Sequence, residues 1–350
     1  MPQGLHSIVR HQQIASFLMN NDKRLVTVRK LKYKEAATEA LLQAMERDPS
    51  IFLLGEGVDN IRGVYGHTLP AYEKFGPSRV IDTPLSENGL TGFAVGAALN
   101  GMRPVLIHQR NDFMLLTMDQ MMNQAAKLRY ISGGYHKVPI VILSFVARKA
   151  GEGAQHTHSL QSVFAHFPGI KVVMPSNAYS VKGSILAAIE DDDPVIVLEH
   201  CALLEESDFV PEEYYTLPFK SEIFNCDGLS DVTIVAVSAT VANAFEARNE
   251  LIKKNIFAEV IDIHSINPLD IDAIASSVSI TGRLVVVDTG WQMCGIGGEI
   301  ISRLIEKSVH FVSPPKRINM APVPCPASHH LLKNYHPTTE NIINAVLEMF

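Results

Sequence analysis

The chain has 350 residues, 47% hydrophobic and 19% charged, a balance that allows two globular domains with a sizeable core. Its formal net charge of −7 argues against a general nucleic-acid binder, and no apolar run reaches the length of a membrane span. Four widely spaced cysteines (Cys201, Cys226, Cys294, Cys325) form no CxxC pair, which offers no zinc site and suits free thiols in a reducing cytoplasm.

Residues 1–28 read as an N-terminal extension with a helix near 11–19, too polar for a secretory signal and too poor in arginine for a mitochondrial presequence. The stretch YKEAATEALLQAM (33–45) has helical spacing, with Ala37, Leu41, Ala44 and Met45 on one face. Apolar runs then alternate with helical patterns. Strands are expected at 51–54, 104–107, 138–144, 170–174 and 194–198, and helices at 89–100, 115–131 and 178–190. Continuous Val/Ile/Leu runs separated by helices predict a parallel sheet covered on both faces. Residues 205–231 are rich in acids, prolines and aromatics and read as a connector over the surface. A second α/β unit follows over 232–350. Its expected strands are 232–237, 257–263, 283–288 and 315–320; its expected helices are 240–254, 270–278, 296–307 and 338–349. The fold class is therefore α/β, two consecutive domains with mostly parallel sheets flanked by helices.

Open parallel sheets bind ligands outside the carboxyl ends of their strands, so the loops after the first-domain strands hold the candidate chemistry. In LSENGLTG, Ser86 and Glu87 suit a helix start, as cap and first-turn acid. In HQRNDF, the polar groups of His108, Arg110, Asn111 and Asp112 crowd a strand end ahead of Phe113, which fits a solvated loop or a pocket. In RKAGEGAQHTHSLQ (148–161), two glycines precede His156 and His158. A metal needs a third ligand that is not nearby in sequence, so an acid–base or oxyanion-stabilising histidine is the better reading. CGIGGE (294–299) lacks the spacing of a dinucleotide fingerprint and reads as a tight turn before a helix.

Taken together and in this order, the motifs resemble the β subunit of thiamine diphosphate-dependent 2-oxo acid dehydrogenase E1 components and transketolase-like enzymes. The matching text includes LLGEGV (53–58), EKFGPSRVIDTPLSENGLTGFAVGAALNGMRPV (73–105), DQMMNQAAKLRYISGG (119–134), GAQHTHSLQSVFAHFPGIKVVMPSN (153–177), VIDIHSINPLD (260–270) and GRLVVVDTG (282–290). The resemblance covers residues 29–350. It implies a pyrimidine-binding domain over 29–204, the connector, and a C-terminal domain over 232–350.

It also implies roles. Glu87 falls on the glutamate that bonds N1′ of the cofactor's pyrimidine, and a carboxylate among small apolar residues favours sharing a proton with that weakly basic nitrogen. Phe113 falls where an aromatic ring stacks on the pyrimidine. His156 matches the histidine facing the substrate, whereas His158 stands where many relatives carry Gln. The family's GDG motif for diphosphate and Mg²⁺ is absent; the near match CDG (226–228) sits in the connector. A separate α subunit would supply that half, in an α2β2 assembly. Ile140, Ala188, Asp191 and Asp193 match positions that hold a K⁺ ion in relatives. The run IHQRND (107–112) departs from the family pattern. With Asn111, Arg110 and His108 lining the approach, it suggests a substrate bearing carboxylate, phosphate or hydroxyl groups. The implied function is decarboxylation of a 2-oxo acid with acyl transfer to lipoamide on an E2 protein. The alternative is a two-subunit carboligase or transketolase-like enzyme that needs no E2.

Overall fold

A computed structural model describes residues 27–146, 151–225 and 230–350. The helix expected near 11–19 and the CDG at 226–228 lie outside the described residues. In chain order the first unit contains β1 (Val28–Lys32), α1 (Tyr33–Arg47), β2 (Ile51–Gly55), α2 (Leu69–Phe75), β3 (Val80–Asp82), α3 (Glu87–Leu99), β4 (Arg103–His108), α4 (Ala126–Ile131), β5 (Val141–Val146), α5 (Gln161–Ala165), β6 (Lys171–Val173), α6 (Ala178–Glu190) and β7 (Val195–His200). There follow β8 (Ser207–Pro211), β9 (Glu222–Phe224), β10 (Val232–Ala236), α7 (Thr240–Ile252), β11 (Ala258–Asp262), β12 (Ser265–Asn267), α8 (Ile271–Thr281), β13 (Leu284–Trp291), α9 (Ile296–Glu306), β14 (Lys316–Met320), α10 (His329–Leu332) and α11 (Thr339–Leu347). No helix among the described residues is long and apolar enough to cross a membrane.

The first sheet has seven strands in the order β12-β6-β7-β5-β4-β2-β3, all parallel except β12. Strands β2, β5 and β7 are buried at every position, as strands covered on both faces must be. The second sheet runs β14-β13-β10-β11-β9, parallel except at β9. Strand β12 comes from the second unit yet pairs with β6 of the first, so the two units share a sheet edge. One apolar cluster spans both, including Leu106, Ile142 and Ile196 from the first and Ile261, Ile274 and Val286 from the second.

Three expectations are corrected. Residues 205–231 are not a bare connector: β8 pairs with β1, and β9 adds an antiparallel edge to β11. The buried Lys182 of α6 fastens this region, its ammonium meeting the carboxylate of Glu39 and the carbonyls of Pro211, Glu212 and Glu213. The strand expected at 138–144 runs 141–146, because Pro139 has no N–H to give a ladder. The single helix expected over 115–131 divides into a 3₁₀ turn (Phe113–Thr117), a π-helical segment (Asp119–Ala125) and α4. Thr117 donates its hydroxyl to the Met114 carbonyl at 2.8 Å, a local bond that competes with the helical ladder where the winding changes.

At the carboxyl end of β7, Glu199 is fully buried, 3.7 Å from Nδ1 of the buried His67. Neither of its carboxylate oxygens has a hydrogen-bond partner. Burial pushes Glu199 up to about 8 and His67 down to about 3, so at neutral pH this close contact is not an ion pair. The folded chain therefore keeps a proton on Glu199 that the unfolded chain loses above the ordinary value of 4.5. Stability from this group is fully present below that value and falls as pH rises toward about 8. Glu199→Gln removes the titration. Its urea midpoint is expected to rise relative to the parent chain between pH 5 and pH 8.5; a difference that stays constant with pH would refute a buried neutral carboxyl.

Candidate active site

Strands β5, β4, β2 and β3 lie side by side, and the carboxyl ends of β4, β2 and β3 open on one groove. It is lined by Gly55 and Glu56 after β2, Thr83 to Glu87 after β3, and His108, Gln109 and Phe113 at and after β4. Gly55 has to be glycine: a Cβ there would lie 2.4 Å from the carbonyl oxygen of Ile107 on the neighbouring strand. Helix α3 starts at Glu87, two residues earlier than expected. Ser86 occupies the N-cap but makes no side-chain capping bond. The Glu87 carboxylate is half-buried and bonds to no donor among the described residues, at a helix end where the macrodipole favours negative charge.

Phe113 is half-buried across the groove from α3, and the exposed ring of His156 meets it edge-on, with centroids 5.6 Å apart at 90°. Three residues from three strand-end loops thus converge. Unpartnered buried polar atoms also belong to this groove, namely Thr83 Oγ1 and His108 Nε2. Burial alone drives His108 down to about 4, so it is a neutral imidazole at physiological pH. A nitrogen-rich aromatic ring fits such a place: it can lie on Phe113 and exchange hydrogen bonds with Glu87 and the orphaned groups.

Asn111 and Arg110 do not line the approach as expected. Asn111 is wholly buried. Its amide donates to the carbonyls of Phe145 (3.0 Å) and His158 (2.9 Å) and accepts the N–H of Leu160 at 3.2 Å. With both ends engaged, it is a strut between the β4, β5 and 156–160 loops and has no surface for a ligand. The Arg110 guanidinium bonds Glu152 at 3.1 Å and the Gln109 carbonyl at 2.6 Å, above the Tyr65 ring, so its charge is already met. His158 is held differently: Asp112 engages both its Nδ1 and its backbone N–H, and its ring meets Trp291 of β13 edge-on at 5.4 Å.

The four residues matched to a K⁺ site come together on the opposite, amino-terminal side of the sheet. The Ile140 carbonyl accepts from Val195 N–H at 3.0 Å and the Ala188 carbonyl from Asp191 N–H at 3.3 Å. Their carboxylates are committed to cationic side chains, Asp191 to Lys171 and Asp193 to Arg129. Arg103 donates to the carbonyls of Ile189 and Asp191 at 2.8 and 3.0 Å. An ion there would share carbonyl lone pairs, since both carboxylates already face cationic side chains. Among the described residues no group of three His, Cys, Asp or Glu side chains could hold a metal.

Sequence reasoning passed over Glu152 and Trp291, and it noted Asp112 only as one of several polar groups at a strand end. It also missed a relay from the second unit: Gln161 Nε2 bonds buried Asp288 at 2.6 Å, and Ser159 meets Thr289 at 2.9 Å. Only Trp291, the chain's sole tryptophan, carried a compositional signal. Asn111→Ala is expected to destabilise the chain by about 2 kcal/mol, because it strands buried backbone partners. It should also accelerate hydrogen exchange at the Leu160 amide; unchanged exchange there would remove the strut role.

Residues 29–206 match the family described as transketolase, pyrimidine binding domain, and residues 226–342 match transketolase, C-terminal domain. The chain is 38% identical to the acetoin:2,6-dichlorophenolindophenol oxidoreductase subunit beta of Bacillus subtilis, over 92% of this chain and 97% of that protein. It is 40% identical to the pyruvate dehydrogenase E1 component subunit beta of Rickettsia felis, over 89% and 96%. It is 38% identical to the mitochondrial pyruvate dehydrogenase E1 component subunit beta of Rattus norvegicus, over 90% and 89%. Among solved structures, an inactive beta4 tetramer of a split-gene transketolase superposes with a TM-score of 0.74 over 91% of this chain and 98% of that one, at 20% identity, a likeness of fold.

Proposed function

Because the chain belongs to the family of thiamine diphosphate-dependent 2-oxo acid dehydrogenase E1 β subunits, with a transketolase-type pyrimidine-binding domain and C-terminal domain, we propose that it acts with an α subunit to decarboxylate a 2-oxo acid and pass the acyl group to a lipoyl E2. The observation that carries this reading is the convergence of Glu87, Phe113 and His156 at neighbouring strand ends. Bound there, thiamine diphosphate supplies the electron sink that decarboxylation of a 2-oxo acid requires. Phe113 would give the pyrimidine a flat apolar face, and Glu87 would hold a proton at its N1′ nitrogen. His156, exposed beside Phe113, would give and take a proton at an oxygen of the substrate.

The absence of GDG leaves the diphosphate and Mg²⁺ to the α subunit, in an α2β2 assembly. The groove's rim fits a protein cover. Leu85 (71% exposed), Phe93 (58%) and Leu116 (60%) are large apolar side chains left open around Glu87 and Phe113. A K⁺ ion on the carbonyls of Ile140 and Ala188 and their neighbours would brace the strand ends far from the chemistry.

Glu87→Gln in the enzyme reconstituted with its α partner is expected to lower CO₂ release from the 2-oxo acid by about 10²- to 10⁴-fold, the usual scale for loss of a positioned proton carrier. Near-normal turnover would sink the role given to Glu87. His156→Ala is expected to impair acyl transfer to lipoamide, measured as the rate of lipoyl acylation; a parental rate would count against it.

A further inference from the structure

The side chains that matter beside Phe113 are those whose hydrogen-bonding capacity is still available. Arg110 is not among them, since Glu152 and Gln109 engage it. His158 is. Its Nδ1 and its backbone N–H both rest on Oδ1 of Asp112, a carboxylate with 8% residual exposure directly before Phe113. Its carbonyl accepts from Asn111, so backbone and ring are both fixed to the 111–112 segment. The Nε2 atom, on the far side of the ring, has no hydrogen-bond partner among the described residues, and the side chain is 27% exposed. The hydrogen bond to Asp112 is the largest influence on the imidazole and holds its pKa above the ordinary 6.5. The carboxylate of Asp112 at Nδ1 favours the imidazolium form, in which Nε2 is a donor rather than an acceptor.

The second unit closes this wall. Trp291 leans edge-on against the His158 ring, and its indole Nε1 donates to the Val323 carbonyl at 3.4 Å. The indole lies alongside an oriented, outward N–H. An apolar wall with one fixed donor suits a side chain that ends in oxygen. A plain alkyl group would leave the donor unsatisfied.

We propose that Asp112, His158 and Trp291 form the specificity wall of this site, with Nε2–H of His158 receiving a hydrogen-bond-accepting oxygen on the side chain of the 2-oxo acid, a hydroxyl or a second carboxylate. His158 is the specificity-determining residue and Asp112 its positioning residue. The proposal rests on the 2-oxo acid reading above and names the substrate class within it.

Two measurements test it. In the enzyme reconstituted with its α partner, kcat/KM for CO₂ release is compared for pyruvate, 3-hydroxypyruvate and 2-oxoglutarate. The parental enzyme is expected to favour at least one oxygen-bearing acid over pyruvate. His158→Gln is expected to reduce that preference about tenfold or more, the scale of a hydrogen bond to a charged group. Asp112→Asn is expected to reduce it less, mainly through KM. A parental preference for pyruvate over both, or a ratio unmoved by His158→Gln, overturns the proposal.

The second measurement needs no turnover. Trp291 is the only tryptophan of the full β chain, and a protonated imidazole against an indole quenches its emission. Asp112 bonds the His158 ring, Arg110 and Glu152 pair with each other between the same two segments, His156 lies two residues before His158, and Asp288 of β13 bonds Gln161 three residues after it. Emission is expected to rise with pH through a midpoint above 6.5. That midpoint should fall in Asp112→Asn, and the transition should vanish in His158→Gln. Asp288 is pushed by burial up to about 6, and the His158→Gln trace isolates its contribution. Glutarate, an unreactive dicarboxylate, is expected to change the emission of the parental chain and not of His158→Gln. An unmoved midpoint in Asp112→Asn overturns the arrangement. A parental enzyme that turns over no 2-oxo acid would instead overturn the functional reading, and the fluorescence would still decide the wall.

Discussion

The carboxamide of Asn111 ties together two of the strand-end loops on which the site depends, those after β4 and β5. It bonds the end of β5 through Phe145, the 156–160 loop through His158 and Leu160, and through its own backbone it fixes where Phe113 begins. Parallel strands bring their carboxyl ends to one edge, but they do not fix the loops that leave them. A fully engaged buried amide does so, because each of its bonds would be expensive to leave unmade. Phe113 and His156 can therefore meet edge-on at a set distance although 43 residues of sequence separate them.

The groove is only part of a site. Glu87 bonds to no donor among the described residues, His156 is exposed, and large apolar side chains stand open at the rim. Such features are costly in a finished binding pocket and ordinary on a surface awaiting a partner. The second unit has a role beyond a possible interface. Through Gln161–Asp288, Ser159–Thr289 and Trp291–His158 it reaches the same loop that carries His156. Movement of the second unit against the first would be felt in the loop that carries His156.

Strands β2, β4 to β7, β10, β11, β13 and β14 and helices α1, α3, α6, α7, α8, α9 and α11 were legible in the sequence because each is set by its own residues. Continuous apolar runs give buried parallel strands, and a 3.6-residue period gives amphipathic helices. The places where this reasoning failed have a common origin. β8, β9 and β12 are short and have no apolar period, and each exists because another strand supplies its hydrogen bonds. The break in the helix over 113–131 follows from a side-chain hydroxyl that bonds backward, which periodicity does not register.

The same division holds for the site. Glu87, Phe113 and His156 follow strands at recognisable places, and α/β topology alone brings strand ends together, so the sequence by itself determined the fold class and the family and put these three residues at neighbouring strand ends. It could not tell that Asn111 points inward, that Arg110 is already matched by Glu152, or that Asp112 holds His158 against a tryptophan 133 residues away. A side chain's direction and the partner that meets its charge are properties of packing between distant segments. Only the tertiary structure decided them, because hydrogen bonds and ion pairs are made over a few ångströms in space, wherever the residues lie along the chain.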